Sequence, residues 1–168
     1  MQPEQAYGVA QFLLRNVENE QKTTRRVLAA VPADKGDYRP DAKSKTAFEL
    51  AWHLASSEQF FATLVLDGTM PTPGPRPENV KTPADVVRYY DEVVIPVKER
   101  LKSATADQYS KAIDFHGLMT APGVVFLTLM LQHSAHHRGQ LSVYLRPMGA
   151  KVPSIYGPSG DEEIAARA

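Results

Sequence analysis

Hydrophobic positions recur in steps of three and four over four separate stretches of the chain. In the first, Tyr7, Ala10, Leu14, Val17, Gln21, Thr24, Leu28 and Val31 share a helical face, and in the second Leu50, His53, Ser57, Phe60 and Leu64 do so. The third carries Val86, Tyr90, Val93, Val97 and Leu101, with Pro96 expected to kink it. The fourth carries Phe126, Met130, His133, His137, Gln140 and Tyr144. Stripes of this kind bury one side of a helix against its neighbours. Prolines mark the joints. Pro71, Pro73, Pro75 and Pro77 exclude helix or central strand from DGTMPTPGPRPENVK, and Pro32 and Pro40 bracket a second loop. Thr82 before Pro83 has the form of a helix start, and Pro147 with Gly149 closes the fourth stretch. The segment from Tyr109 to Leu118 fits neither period well and is expected to hold a short extended stretch or a helical turn. The pattern predicts an all-α fold, with one four-helix bundle domain over residues 1–168.

Polar residues interrupt three of these stripes: Gln21 and Thr24, His53 and Ser57, then His133, His137 and Gln140. A polar group inside a bundle needs partners, so residues of this kind on three helices point to a shared polar cavity. Counting along antiparallel neighbours at 1.5 Å per residue brings Gln21, Thr24 and His53 to a similar level. His137 matches that level best if the fourth helix runs antiparallel to the second.

His133 and His137 stand four residues apart, which projects two imidazoles from one helical face, close enough to chelate one ion. His53 from a facing helix would complete a three-histidine set with a position left for water, an arrangement suited to zinc and open to nickel, iron or copper; the alternative is a hydrogen-bonded core histidine in a bundle without metal. Ser134 occupies the place of the glutamate in HExxH, so no residue is assigned as general base. Gln140 is a candidate to bridge helices or to orient a ligating imidazole, and Ser57, Gln21 and Thr24 are candidates for the surrounding pocket. Arg138 is expected at the bundle edge, facing solvent or an anion. Gly139 is expected to permit close helix approach. His136 lies off the stripe and is expected to face a helix edge or solvent.

Composition narrows the chemistry. Nineteen basic residues balance nineteen acidic ones, which gives no global attraction to nucleic acid or anionic membranes. The absence of cysteine excludes thiolate ligands, iron–sulfur clusters and a cysteine nucleophile. The apolar run Val124 to Leu131 is far too short to span a bilayer, and the N-terminus lacks the form of a signal peptide. The chain reads as cytoplasmic.

The segments AWHLASSEQFF, LQHSAHHRGQLSVYLRPMG and KVPSIYGPSGDE together resemble the DinB/YfiT-like family of proposed metalloenzymes. This is the damage-inducible bundle family, distinct from the DNA polymerase that shares the name. The resemblance implies an up-down-down-up bundle, often a homodimer, holding zinc or nickel through His53, His133 and His137. Related members include thiol-dependent transferases and isomerases that use bacillithiol, mycothiol or glutathione, and others are described as hydrolases. The function expected here is therefore metal-dependent thiol transfer or hydrolysis of a small-molecule substrate. The alternative is a non-catalytic, metal-binding stress-response dimer.

Overall fold

The computed structural model describes residues 1–72 and 74–162; Pro73 and the last stretch of the expected domain, 163–168, lie outside the described residues. Two long helices open the chain, α1 (Pro3–Ala29) and α2 (Ala47–Asp67). The third rod is composite: α3 (Pro83–Tyr89) runs through a π-helical stretch (Tyr90–Val94) into α4 (Ile95–Arg100) and a 3-10 turn (Leu101–Ser103). A one-turn helix α5 (Ala106–Ser110) and a hairpin of β1 (Ala112–Phe115) with β2 (Met119–Pro122) lead into α6 (Gly123–Leu145).

Local chemistry sets these boundaries. Thr46, Thr82 and Thr105 each accept a bond from the backbone N–H three residues on, and Glu49, Asp85 and Gln108 reciprocate as capping boxes. Gly68 ends α2 in the left-handed region at φ 64°. At Gly123 a Cβ would come within 2.6 Å of the Gln108 carbonyl oxygen, so only glycine lets α6 begin against α5. Gly139 has no such reason: a Cβ there would meet nothing within 4 Å, and the expected close approach is absent.

Contacts along the rods give their directions. Trp52 packs on Tyr89 and Glu58 on Lys98, so α2 and the composite rod are parallel. His53 meets His137 while Phe61 meets His133, so α2 and α6 are antiparallel. Arg25 bonds Asp91 and Glu18 bonds Lys102, which sets α1 against the composite rod. The order is up-down-down-up, and the connection over 68–82 makes the crossover between the two parallel rods.

The core consists of two hydrophobic clusters, one at each end of the bundle. Between them lies a buried polar belt with members from every rod: Thr24 from α1, Glu58 from α2, Lys98 from α4, and Ser134 and Arg138 from α6. Lys98 Nζ is 2.5 Å from Glu58 Oε2, and the Tyr90 hydroxyl donates to the same oxygen at 2.6 Å. Arg138 donates to Thr24 Oγ1 at 3.1 Å and the Glu20 carbonyl at 3.2 Å, and pairs with the Glu20 carboxylate. Tyr156 from the C-terminal segment accepts from Arg138 at 2.6 Å. Arg138 is thus 1% exposed, not at the bundle edge as expected: Glu20 and Tyr156 close over it.

The belt shifts the buried faces relative to the expected stripes. The centre of the α6 face is Leu127, Met130, Ser134, Arg138, Leu141 and Leu145, and the histidines lie along its edge. In the composite rod the buried positions are Val86, Tyr90, Val94, Lys98 and Leu101, while Val93 and Val97 are only half-buried. The π stretch adds a residue to one turn, and Ile95 N–H bonds back to Tyr90 O. Pro96 follows at once, with no N–H to give the helix.

Removing one half of the buried pair leaves the other charge without a counter-ion in the core. Lys98→Met should therefore lower unfolding free energy by about 3–5 kcal/mol in urea titrations, and the double change Glu58→Leu with Lys98→Met should be more stable than Lys98→Met alone. A loss below about 1 kcal/mol for Lys98→Met would contradict a dry, paired belt.

Candidate metal centre

The belt aims the histidines. His133 precedes Ser134 and His137 precedes Arg138, so burying the serine and the arginine turns both imidazoles to the same edge of α6, one turn apart. On α2, His53 precedes the fully buried Leu54, and its carbonyl accepts from Ser57 Oγ at 2.6 Å and Ser56 Oγ at 3.4 Å.

Antiparallel packing brings the three rings together. His53 Nε2 lies 3.1 Å from His137 Nε2. Ring centroids are 5.0 Å apart for His53 and His133, 4.4 Å for His53 and His137, and 4.3 Å for His133 and His137. One nitrogen from each ring lies within 4.8 Å of the others, a spacing that could hold a metal ion. Nitrogens about 2.0–2.1 Å from a tetrahedral ion stand roughly 3.3 Å from each other, close to the observed separation of His53 and His137.

Hydrogen bonding and burial prepare the rings. His137 Nδ1 lies 2.7 Å from Gln140 Oε1, which accepts its N–H and leaves Nε2 as the lone-pair nitrogen. His133 Nδ1 is buried with no hydrogen-bond partner among the described residues. Burial is the first cause that depresses all three imidazoles, followed for His53 and His133 by repulsion from His137; both are brought down to about 4. Glu58 partly opposes this at His133. Its own carboxyl is raised by burial, but the Lys98 ammonium and bonds from Lys98, Tyr90 and Ser134 outweigh that and hold it below the usual range. The cluster is therefore neutral near pH 7, the state in which imidazole binds metal.

A cleft of about 790 Å³ opens beside the cluster, with His53, His133, Ser57, Trp52 and Phe61 in its wall. Gln140 contacts the cluster through His137, and Ser57 lies at the cleft while bonded to the His53 carbonyl. Thr24 belongs to the belt, bonded to Arg138, and lies outside the cleft. Gln21 is half-buried, and no bond joins it to the histidines among the described residues. His136 is exposed, off the cluster. Sequence reasoning missed Glu58, although its place between Leu54 and Phe61 on the buried face was a usable signal. It also missed Phe115 and Tyr89, which reach the cleft from the hairpin and from α3.

An up-down-down-up bundle whose second and last long helices converge three imidazoles defines a helical protein with a candidate three-histidine metal centre. The DinB family profile matches residues 3–165, and the chain belongs to that family. It is 30% identical over 145 residues to the uncharacterized protein YjoA of Bacillus subtilis, covering 84% of this chain and 88% of that one. It is also 28% identical over 153 residues to the uncharacterized protein YrdA of the same organism, covering 89% of each. Among solved structures, the DinB-like YjoA superposes with a TM-score of 0.73 at 24% identity, covering 88% of this chain and 99% of that one. A DinB-like protein from Bacillus cereus gives 0.71 at 24% identity, with 86% and 95% covered. These likenesses establish the fold.

The depressed imidazoles have a pH consequence. Three ordinary imidazoles of pKa about 6.5 would lose roughly 500-fold in metal affinity to proton competition between pH 7 and 5.5. Here His53 and His133 stay neutral to about 4, so cobalt or zinc titrations should show a far smaller loss over that interval. In metal-free protein the unfolded chain takes up protons that the folded rings refuse, so stability should fall as pH drops from about 6.5 to about 4. A 500-fold loss of affinity, or stability flat across that window, would contradict these ring environments.

Proposed function

We propose that the protein is a metal-dependent enzyme acting on a small molecule, with His53, His133 and His137 holding one divalent ion, zinc or nickel. The observation that supports this reading is the position of the cluster in the wall of an open cleft, with two of its three rings lining it. A site meant only to tie helices together has no need of such access.

When bound, an ion there supplies Lewis acidity, which activates water or a low-molecular-weight thiol near neutral pH. The chain's own groups do the rest. Burial keeps the imidazoles unprotonated, and Gln140 fixes the His137 tautomer and ring orientation. Ser57 stays committed to the His53 carbonyl and steadies that ring's turn of helix. The aromatic side chains at the cleft line the approach to the histidines. The two reactions this supports are transfer of a thiol to an electrophile and hydrolysis.

Protein purified without a histidine tag should carry close to one divalent ion per chain by elemental analysis. Alanine at position 53, 133 or 137 should deplete it, and Gln140→Ala should weaken affinity about 10- to 100-fold. His136→Ala should keep the ion. Full occupancy after all three ligand changes, or equal loss from His136→Ala and His137→Ala, would overturn the assignment.

A further inference from the structure

The cleft beside the histidines is lined by two aromatic groups. Trp52 and Tyr89 form one, with ring centroids 4.9 Å apart. Phe60, Phe61 and Phe115 form the other, and Phe61 and Phe115 lie parallel within 5° at 6.3 Å. Phe61 also meets His133 edge-on at 5.6 Å, so the aromatic surface runs up to the cluster. Pro71, Pro75 and Pro77 add apolar surface that offers no N–H donors.

Among the described residues, none of the side chains lining the cleft carries a formal charge. The charged residues nearby are directed elsewhere. Glu58, between Ser57 and Gln59, is turned into the belt against Lys98. Arg76, within the proline-rich loop, holds its guanidinium 4.7 Å from the Phe48 ring centroid and does not line the cleft. Lys45, whose charge reaches His53 and His137, is exposed and likewise outside the lining. The polar groups that remain are hydroxyls, the Gln59 amide, the Trp52 indole N–H and the neutral imidazoles of His53 and His133. The Tyr89 hydroxyl donates to Gln59 Oε1, which leaves the Gln59 N–H groups to offer to a neutral acceptor.

A flat ring entering this cleft finds aromatic faces and edges to pack on. An ionised group packed against these walls would lose water and gain no counter-charge from the chain's own side chains. We propose that the walls of the cleft, apart from an ion held at the histidines, select an uncharged flat aromatic body with a neutral oxygen acceptor over aromatic acids and cations of the same shape. This rests on the histidine cluster being the reacting centre, because the aromatic surface ends there.

The test compares 2-naphthamide, 2-naphthoate and 2-naphthamidinium, which share one ring system and differ in charge. Binding is measured to metal-free protein at pH 7.5 by the indole N–H resonance of Trp52, the chain's single tryptophan. Naphthamide should bind at least about tenfold more tightly than either ion. Phe60→Ala and Phe115→Ala should each weaken it by roughly 3- to 10-fold. Thr63→Glu, which places a carboxylate in the lining, should strengthen naphthamidinium and weaken naphthoate. Equal or tighter binding of either ion to the native protein, or no shift of the indole with any of the three at millimolar concentration, would overturn the proposal. Metal-free protein keeps the two readings apart. A preference for naphthamide in a protein that takes up no ion would remove the metal centre and leave the cleft assignment standing. An ion held by the histidines with no such preference would do the reverse.

Discussion

The pairing of Glu58 with Lys98 inside the bundle constrains everything around it. Two charges, 2% and 3% exposed, are tolerable only face to face and with their remaining valences bonded, as Tyr90 and Ser134 do for the carboxylate. A slip of one helical turn moves a side chain about 5.4 Å along its axis, enough to strand both charges. The pair thus fixes the height of the composite rod against α2, and Ser134 extends that register to α6. Arg138, Thr24 and Glu20 do the same for α1. Such a belt gives less net stability than apolar packing would, but it makes alternative registers expensive.

The candidate centre follows from that register. His133 and His137 each stand beside a belt residue on α6, and His53 lies just over a turn before Glu58 on α2. Once the belt is set, the three rings meet at one edge of it, between the buried charges and the cleft. Burial then keeps them neutral, and Gln140 orients one of them. The same arrangement leaves the cleft uncharged, because the acid nearest to it in sequence is spent on Lys98.

Much of this was legible in the chain beforehand. Periodicity and proline placement located the four rods, and the 3.6-residue geometry put His133 and His137 on one face with His136 off it. The polar interruptions also marked the right level of the bundle. What periodicity could not show was which polar residues face the core. Arg138 was expected at the bundle edge and Glu58 was not singled out, because their partners come from other rods: Glu20 and Tyr156 for one, Lys98 for the other. The stripe through Val93 and Val97 went astray for a local reason, since a π turn beside Pro96 advances the buried face by one residue. The cleft was invisible because Phe115 and the proline-rich loop reach it from regions with no period at all.

The central claim is that three imidazoles from two helices hold an ion with a coordination position open to the cleft. X-ray absorption at the edge of whichever ion the purified protein carries tests it most directly. The account predicts about three imidazole nitrogens at roughly 2.0–2.1 Å for zinc, and one further light ligand that changes when a small anion such as azide is added. A shell of oxygens without imidazole scattering, or a closed shell of four protein ligands that ignores the anion, would contradict it.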